Sequence, residues 1–279
     1  MTVLEVLNAA TGYLKQQGVE SPRLNAEHLL AHVLGIKNRI NLYMEFERTV
    51  GEAERAPLRE QVRKRSEGVP LQHLLGTVEF FGRTFSSDAR ALIPRPETEQ
   101  LVEKVLAELG GPNARVLDVG TGSGVIAVTI AVEREGASVA AVDLSPDALA
   151  LAQENAGRHG VSERIEFSES DLLANVSGPF DAIVANLPYI ASEELAGLSR
   201  EVRHDPAMAL DGGRDGLALV ARLVQDAPGM LCPGGLLALE IGHDQAARVE
   251  SLLSANNYRD IKRIRDYQGI ERIVIARHG

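Results

Sequence analysis

The chain has little of what marks secreted or membrane proteins. It contains one cysteine in 279 residues, Cys232, which excludes an internal disulfide. No apolar run approaches the length that spans a bilayer, and the first residues lack the basic and hydrophobic regions of a secretory signal. Tryptophan is absent and aromatic residues make up only 4% of the chain, so an aromatic platform for stacking bases is also missing. These features predict a cytoplasmic protein with no membrane partner.

Positive charge is scarce as well. The net charge of −10 argues against tight general affinity for nucleic-acid phosphates, and no stable nucleic-acid binding is expected. Residues 1–75 are nearly neutral, with ten Lys/Arg against nine Asp/Glu, so an RNA-like partner would more plausibly contact that part. The basic run Arg63-Lys64-Arg65 is interpreted as a solvated helix end. His28 and His32 have the helical spacing of metal ligands but no accompanying ligand cluster, so no metal site is predicted.

Glycine, by contrast, is concentrated where it predicts a ligand site. Residues 115–119 form a strand-like run, residues 120–124 a Gly-x-Gly-x-Gly turn, and residues 125–131 an apolar helix-like run. This order predicts the opening of a doubly wound α/β sheet, in which the glycines let the backbone approach a ligand and the helix N-terminus presents free N–H groups. The spacing differs from the Gly-x-Gly-x-x-Gly of dinucleotide enzymes.

Two further strand-like runs lead to acidic residues. The run 137–142 ends at Asp143, whose carboxylate suits a ribose diol, and the run 165–167 leads to Asp171, where an adenine edge would be read. Because open α/β sheets bind ligands at the carboxyl ends of their strands, we predict a site for S-adenosylmethionine. The predicted cofactor-binding residues are Gly120, Thr121, Gly122, Ser123, Gly124, Asp143, Asp171, Leu172 and Asn186.

The sequence Asn186-Leu187-Pro188-Tyr189, at the end of the apolar run 180–185, predicts a catalytic loop for methylating a planar NH2 group. The lone pair of such a nitrogen is delocalised, but the Asn186 side-chain oxygen and the Leu187 backbone carbonyl can each accept one of its N–H groups. Pro188 fixes φ, and Tyr189 offers a flat face for stacking. We therefore predict that Asn186, Pro188 and Tyr189 are catalytic and that all four residues bind substrate. An ordinary turn after a strand is the alternative.

The organisation of the chain changes near residue 75. Apolar residues at helical spacing predict helices over residues 3–17, from Pro22 onward and over 52–66, with a shorter one around 40–47, which together indicate a small helical bundle. We predict three parts: a helical substrate-recognition domain over 1–75, a β-hairpin linker over 76–93, and a Rossmann-like α/β methyltransferase domain over 94–279. Residues 231–235 are interpreted as a turn, and residues 258–264 and 271–277 as strands.

The chain resembles the HemK/PrmC family of protein-(glutamine N5) methyltransferases over essentially its whole length. Besides the glycine turn and the catalytic loop, the resemblance rests on the runs 21–27, 70–76, 92–99, 205–217 and 240–242. The most family-specific of these is 92–99, which reads Leu-Ile-Pro-Arg-Pro-Glu-Thr-Glu.

The resemblance implies a class I S-adenosylmethionine-dependent enzyme. Such an enzyme methylates the side-chain amide nitrogen of the glutamine in the Gly-Gly-Gln motif of class I peptide chain release factors, supports translation termination and leaves S-adenosylhomocysteine. It also implies that the loop from Asn186 to Tyr189 holds the glutamine amide and that the helical domain helps to recognise the release factor.

Two positions depart from the usual family pattern. Position 187 is Leu where a second proline is usual, and the resulting Asn-Leu-Pro-Tyr also occurs in adenine N6 dimethyltransferases that act on ribosomal RNA. Position 205 is Asp where Glu is usual. A nucleic-acid adenine N6 methyltransferase and a non-catalytic module that keeps the cofactor fold therefore stay open as alternatives. For Arg95 and Glu97, two roles also stay open: ordering their loop over the site, or pairing with each other on the surface.

Overall fold

The computed structural model describes all 279 residues, and the chain folds into two compact units. The first unit comprises residues 1–77 together with the short segment 199–204, and the second comprises residues 78–198 and 205–279. None of the helices combines the length and the apolar composition that crossing a bilayer requires.

The first unit is a helical bundle, as predicted. It contains α1 (Val3–Gln16), α2 (Pro22–Val33), α3 (Glu52–Ser66) and α4 (Leu71–Leu75), with a 3-10 helix over Arg39–Glu45. The first helix begins with a capping box, in which the Thr2 hydroxyl accepts from the Glu5 N–H and the Glu5 carboxylate accepts from the Thr2 N–H. The apolar faces of α1, α2 and α3 share one buried core. The short helix α4 was not predicted, because five residues are too few to show a helical period.

Arg65 attaches the segment 199–204 to the first unit. Its side chain is 6% exposed and donates to the Asn25 Oδ1 at 2.7 Å and to the Glu201 carboxylate at 2.7 Å. A buried guanidinium needs such partners, since desolvation of an unpaired charge is costly. The interpretation of Arg65 as part of a solvated helix end was therefore wrong. Arg63 does lie on the surface, where it pairs with Glu60 and Glu67.

The second unit contains two sheets and five helices. Its hairpin consists of β1 (Thr77–Phe80) and β2 (Arg83–Ser86), and its large sheet has seven strands in the order β5-β4-β3-β6-β7-β9-β8. Strands β3 to β7 pair in parallel, whereas β9 is antiparallel to both of its neighbours. The elements of this unit after the hairpin are α5 (Pro96–Glu108), β3 (Arg115–Val119), α6 (Val125–Glu133), β4 (Ser138–Asp143), α7 (Pro146–Arg158), β5 (Ile165–Glu169), β6 (Phe180–Asn186), α8 (Ala218–Asp226), β7 (Leu231–Glu240), α9 (Ala246–Ala255), β8 (Tyr258–Arg265) and β9 (Glu271–His278).

The central strands of the large sheet are buried on both faces, which explains why they read as largely apolar runs. Alternate residues of β6 point to opposite sides: Val184 belongs to the core that includes α5, α6 and α7, and Ile183 to the core that includes α8 and α9. Successive side chains of a strand face opposite sides of the sheet, so a strand covered on both sides needs apolar residues at every position. The result is a three-layer α/β unit.

The predicted hairpin is present, and its turn follows from local stereochemistry. Phe81 and Gly82 both have positive φ, of 51° and 68°, the arrangement of a two-residue turn between antiparallel strands. Phe80 and Phe85 are fully buried and pack edge to face, with ring centroids 6.0 Å apart. The hairpin thus contributes side chains to the core of the second unit.

One turn prediction in this unit needs correction. Residues 231–235 lie within β7 rather than in a turn between elements. Phe180 pairs with Leu231 but Ala182 pairs with Leu236, so the intervening residues of β7 bulge out of the ladder. Gly234, with φ of +73°, supplies the left-handed conformation that the bulge requires.

Candidate active site

The loops at the carboxyl ends of β3, β4, β5 and β6 line one cavity. The cavity lies beside the point where the order of strand addition reverses. Strands β4 and β5 are added on one side of β3, and β6 and β7 on the other. This is where open α/β sheets bind ligands. The predicted site residues that line the cavity are Gly120, Thr121, Gly122, Asp143, Asp171, Leu172, Asn186, Leu187 and Pro188.

Three predicted site residues lie outside this lining: Ser123, Gly124 and Tyr189. The Ser123 carbonyl accepts from the Asn155 side chain at 2.9 Å. Gly124 has φ of +81°, and a Cβ at this position would lie 2.9 Å from the Ala152 Cβ, so this glycine allows α6 and α7 to approach closely. A contact of Ser123 or Gly124 with the cofactor stays a prediction.

Asp143 both lines the cavity and holds the glycine turn in place. One carboxylate oxygen accepts from the Gly122 N–H at 2.8 Å, and the other accepts from the Ser145 N–H at 2.9 Å. Gly120, with φ of +71°, donates its N–H to the Val142 carbonyl at 2.8 Å. A Cβ on Gly120 would lie 3.0 Å from the Leu187 side chain, so this position has no room for a larger residue.

Asp171 has a more exposed setting than Asp143. Its carboxylate is about half exposed and pairs with Arg222 at 2.9 Å. Leu172, which follows it, is 7% exposed and adopts φ of +52°. The cavity therefore has a charged group on its rim and an apolar wall beside it.

Asp118, at the end of β3 just before the glycine turn, is a buried carboxyl that was not among the predicted site residues. One of its oxygens accepts from the Thr121 hydroxyl at 2.6 Å and from the Ala127 N–H at 3.1 Å, whereas the other has no partner. Complete burial raises the pKa of this carboxyl to about 7. Asp118 thus connects the turn to the first turn of α6.

The residues of the cavity fit S-adenosylmethionine. The Asp143 carboxylate can accept from two ribose hydroxyls, and Val125 and Ile126 bring the N-terminal turn of α6, with its backbone N–H groups, to the lining. Leu144 and Leu172 supply apolar walls for a flat ring system. A ligand with a carboxylate, a diol and an aromatic ring therefore finds a matching group for each part.

Asn186 ends β6 and is held from behind by two buried side chains. Its Nδ2 donates to the Thr98 hydroxyl at 3.1 Å, and that hydroxyl donates to the Glu240 carboxylate at 2.7 Å. Thr98 belongs to α5, and Glu240 is the residue of β7 that pairs with Asn186. Burial raises the pKa of Glu240 to about 7, and the neighbouring Glu97 carboxylate adds to this shift.

Two oxygen acceptors of this cavity-lining loop have no protein partner. No group of the protein donates to the Asn186 side-chain oxygen or to the Leu187 carbonyl. The Leu187 side chain is 4% exposed and belongs to the core that α8 and α9 cover. The two oxygen acceptors that the sequence predicted for a substrate NH2 group therefore remain available.

The far end of the loop is fixed through Gln245. Its side-chain Nε2 donates to the Tyr189 carbonyl at 2.9 Å and to the Gly216 carbonyl at 3.2 Å, and its Oε1 accepts from the Gly242 N–H at 2.8 Å. Burial raises the pKa of the Tyr189 hydroxyl, which keeps this side chain uncharged. The loop is thus held in place without substrate.

Of the two roles considered for Arg95 and Glu97, the surface pair between them is wrong. Arg95 pairs instead with Asp205, at 3.1 Å, and Asp205 also accepts from the Ile93 N–H at 3.3 Å. The Asp205 side chain is 1% exposed. This carboxylate fastens the segment 93–95 beside Pro206, which lines the cavity.

Sequence reasoning did not predict the contacts that Thr98, Glu240 and Gln245 make with the loop. Thr98 and Glu240 lie in the runs 92–99 and 240–242, on which the family resemblance rests. Those runs indicated that the two segments matter, but not that they contact each other. The signal that could have identified Glu240 is a carboxylate at the end of a strand that is otherwise apolar, next to the strand of Asn186. Nothing in the sequence pattern distinguished Gln245.

Comparison with known proteins agrees with this architecture. Residues 5–76 match the PrmC N-terminal domain, and residues 96–267 match the methyltransferase small domain. A release factor glutamine methyltransferase of Deinococcus radiodurans is 43% identical over 278 residues, covering 99% of each chain. One of Chlorobaculum tepidum is 40% identical over 283 residues, covering 97% of this chain and 95% of the relative.

A solved structure supports the fold independently. A methyltransferase from Pyrococcus furiosus matches 71% of this chain and 90% of its own, with a TM-score of 0.55 at 19% identity. The predicted fold, a Rossmann-like methyltransferase domain preceded by a helical domain, is confirmed. On the strength of its full-length relatives, this chain belongs to the family of release factor glutamine methyltransferases.

Proposed function

We propose that this protein transfers a methyl group from S-adenosylmethionine to the side-chain amide nitrogen, N5, of the glutamine in the Gly-Gly-Gln motif of class I peptide chain release factors. The observation that carries this proposal is the orientation of Asn186. Its Nδ2 is bound to Thr98, which leaves its oxygen free beside the free Leu187 carbonyl. Two adjacent acceptors match the two N–H groups of a primary amide.

The loop provides alignment rather than acid–base chemistry. The cofactor, when bound, supplies an electrophilic methyl group on a sulfonium sulfur. Asn186 and the Leu187 carbonyl would hold the amide nitrogen in line with that methyl group and stabilise the positive charge that develops on the nitrogen. A protonated amide nitrogen is strongly acidic and loses its proton to water, so the site needs no strong base. Tyr189 would stack on the planar amide.

We assign the cofactor contacts to the residues that the sequence predicted. Asp143 would accept from the ribose hydroxyls, Leu172 would contact the adenine, Asp171 would read its edge, and the turn from Gly120 to Gly124 would bind the methionine part. The amide interactions of the turn and the carboxylate of Asp143 are already in position before a ligand arrives. Because these groups are already ordered, cofactor binding has a smaller entropic cost.

We further propose that residues 1–75 recognise the release factor, that the hairpin segment 76–93 links the two parts, and that residues 94–279 carry the chemistry. The near-neutral charge of the first part supports this assignment, since the remainder is strongly acidic. The expected compartment is the cytoplasm, where release factors act on ribosomes.

Methylation of adenine N6 in nucleic acid is the second candidate. Enzymes that catalyse that reaction also contain the sequence Asn-Leu-Pro-Tyr, which would present the same two acceptors to an adenine NH2 group. The net charge of −10 disfavours phosphate binding. A non-catalytic module is the weakest candidate, since the glycine turn, Asp143 and Asn186 line one cavity. A pure scaffold has no chemical reason to keep them together.

Transfer of a labelled methyl group distinguishes these candidates. The protein is incubated with methyl-labelled S-adenosylmethionine and, in parallel, with a purified class I release factor, the same factor with its Gly-Gly-Gln glutamine replaced by alanine, and ribosomal RNA. We expect label on the unmodified factor alone. Label on RNA with none on the factor would overturn the proposal, and no transfer to any of the three would favour a binding module.

A further inference from the structure

The side-chain amide of Asn186 has two ends of opposite hydrogen-bonding character, and only one of them suits the reaction. With its oxygen toward the cavity, Asn186 accepts from a substrate NH2 group. If the amide were turned by 180°, its own NH2 group would face the substrate NH2 group, and both would be donors. The direction of this side chain therefore decides whether the loop can hold its substrate.

We propose that Thr98 and Glu240 are positioning residues that set this direction, and that the ionised form of Glu240 keeps the Asn186 oxygen turned toward the substrate. The inference rests on the proposed function, because it concerns how the same loop holds an NH2 group. Neither residue touches the substrate in this account.

The Thr98 hydroxyl has a single hydrogen, so it can donate to only one partner. An ionised carboxylate can only accept, so Thr98 must donate its hydrogen to Glu240, as the 2.7 Å contact shows. Toward Asn186 the hydroxyl can then only accept, so Asn186 must present its Nδ2, which lies 3.1 Å away. Thr98 is 2% exposed and Glu240 is 3% exposed, so bulk water does not compete for these bonds.

Protonation of Glu240 removes this constraint. A neutral carboxyl can donate its own hydrogen to the Thr98 oxygen, which frees the hydroxyl hydrogen of Thr98 to point at Asn186. The turned Asn186, with its oxygen toward Thr98, then makes an equally good hydrogen bond. The chain of hydrogen bonds has two directions, and the charge on Glu240 selects the productive one.

The groups around Glu240 place this change of charge near neutral pH. Burial of the site, and to a lesser extent Glu97 on α5, disfavours the carboxylate, whereas the hydrogen bond from Thr98, the Arg272 guanidinium on β9 and the hydrogen bond from Asn186 favour it. Arg272 itself lies 3.8 Å from Asp266. Tyr189, the remaining titratable neighbour, is neutral in this range because burial raises the pKa of its hydroxyl.

The test compares three variants of the full chain with the unmodified protein: Thr98→Val, which removes the hydroxyl at nearly constant volume, Thr98→Ser, which retains it, and Glu240→Gln, which cannot ionise. Turnover at saturating cofactor and release factor, together with cofactor affinity by calorimetry, is measured from pH 5.5 to 9. The unmodified protein must first methylate the release-factor glutamine, so a failure of the proposed function is seen before any variant is examined.

We expect turnover of the unmodified protein to rise to a plateau through neutral pH. Thr98→Val should lose about tenfold or more in turnover with cofactor affinity within about twofold, and Thr98→Ser should recover to within about threefold. The amide of Glu240→Gln can donate or accept, so this variant should have a lower turnover, and its turnover should no longer rise through neutral pH. Full turnover of Thr98→Val, or an unchanged pH profile in Glu240→Gln, would overturn the proposal. If Thr98→Val does not fold, Thr98→Ser and Glu240→Gln still decide it.

Discussion

At the scale of single residues, the active loop divides its work between a side chain and a backbone. In the proposed mechanism, Asn186 acts through a side-chain oxygen whose direction Thr98 would fix. Leu187 would act through its carbonyl, and its side chain is buried in the core. Leu at position 187, where the family usually has proline, therefore changes only a side chain and its backbone N–H, which the proposed chemistry does not use.

Substitutions at these two positions separate the two roles. Asn186→Ala should reduce the chemical step by about 100- to 1,000-fold, comparable to the loss of one oxyanion-type partner, and should change cofactor affinity much less. Leu187→Pro keeps the carbonyl and should leave turnover within a few-fold. It should reduce stability by about 1–3 kcal/mol, because it removes buried apolar atoms. Single-turnover rates and denaturant unfolding measure these effects.

The outcomes that contradict this division are specific. A large loss of rate in a folded Leu187→Pro protein would mean that the Leu side chain or its N–H takes part in the reaction. An Asn186→Ala protein with normal turnover would remove the side-chain acceptor from the mechanism.

The residues that sequence reasoning found and those it missed differ in how their roles arise. The glycine turn, Asp143 and Asn186 were identifiable because each lies in a short contiguous pattern at the end of a strand. Thr98 and Glu240 were not assigned, because their role depends on contacts between positions 88 and 142 residues apart in the chain. Such contacts are set by how α5 packs on β6 and β7, which no local pattern encodes.

At the scale of elements, Asp143 at the end of β4 has two roles: its carboxylate is a predicted ligand group, and it also holds the glycine turn in shape. Asp143 accepts from the Gly122 and Ser145 N–H groups and faces the cavity with its remaining lone pairs. A single carboxylate therefore connects the predicted ribose site to the shape of the glycine turn.

Asp143→Ala should weaken binding of S-adenosylmethionine by about tenfold or more. Each charge-assisted hydrogen bond to the ribose contributes about 1.5–3 kcal/mol, and about 1.4 kcal/mol corresponds to a factor of ten. Calorimetry measures the affinity. The matched control is Asp147→Ala, an exposed aspartate at the start of α7 that lies outside the cavity lining. Equal affinities for a folded Asp143→Ala variant and the unmodified protein would remove Asp143 from the site.

The elements themselves were largely predictable, and the exceptions have physical causes. The central strands of the large sheet are largely apolar, and the long helices have apolar residues at helical spacing and clear ends. Helix α4 has only five residues, and the bulge in β7 looks like a turn because it contains Gly234. The segment 199–204 belongs to the first unit through an ion pair between Glu201 and the buried Arg65. None of these three features produces a hydrophobic periodicity that could be recognised in the sequence.

At the scale of the whole molecule, two buried carboxyls affect stability. Burial raises the pKa of Asp118 and of Glu240 to about 7. Between their unfolded values, 3.8 and 4.5, and about 7, the folded protein binds more protons than the unfolded chain. These groups therefore contribute stability that is fully present at low pH and is lost as the pH rises through about 7.

Asp118→Asn should flatten this dependence. The amide oxygen can keep the bonds from Thr121 and Ala127, and the NH2 group takes the place of the oxygen that lacks a partner. Denaturant unfolding from pH 5 to 8 should show a smaller fall in the free energy of unfolding for the variant, by up to about 1.4 kcal/mol per pH unit in the steepest part. The exposed Asp147→Asn serves as control. Parallel curves for Asp118→Asn and the unmodified protein would refute a buried, titrating Asp118.

The measurement that tests the central claim most directly is the location of the transferred methyl group. A class I release factor is incubated with this protein and S-adenosylmethionine, digested, and sequenced by tandem mass spectrometry. The account predicts one methyl group on the side-chain amide nitrogen of the Gly-Gly-Gln glutamine, and about 100-fold or more less of it when Asn186→Ala is used over the same short time. A methyl group at any other residue of the factor, or an unmodified factor beside methylated adenine in RNA, would contradict it.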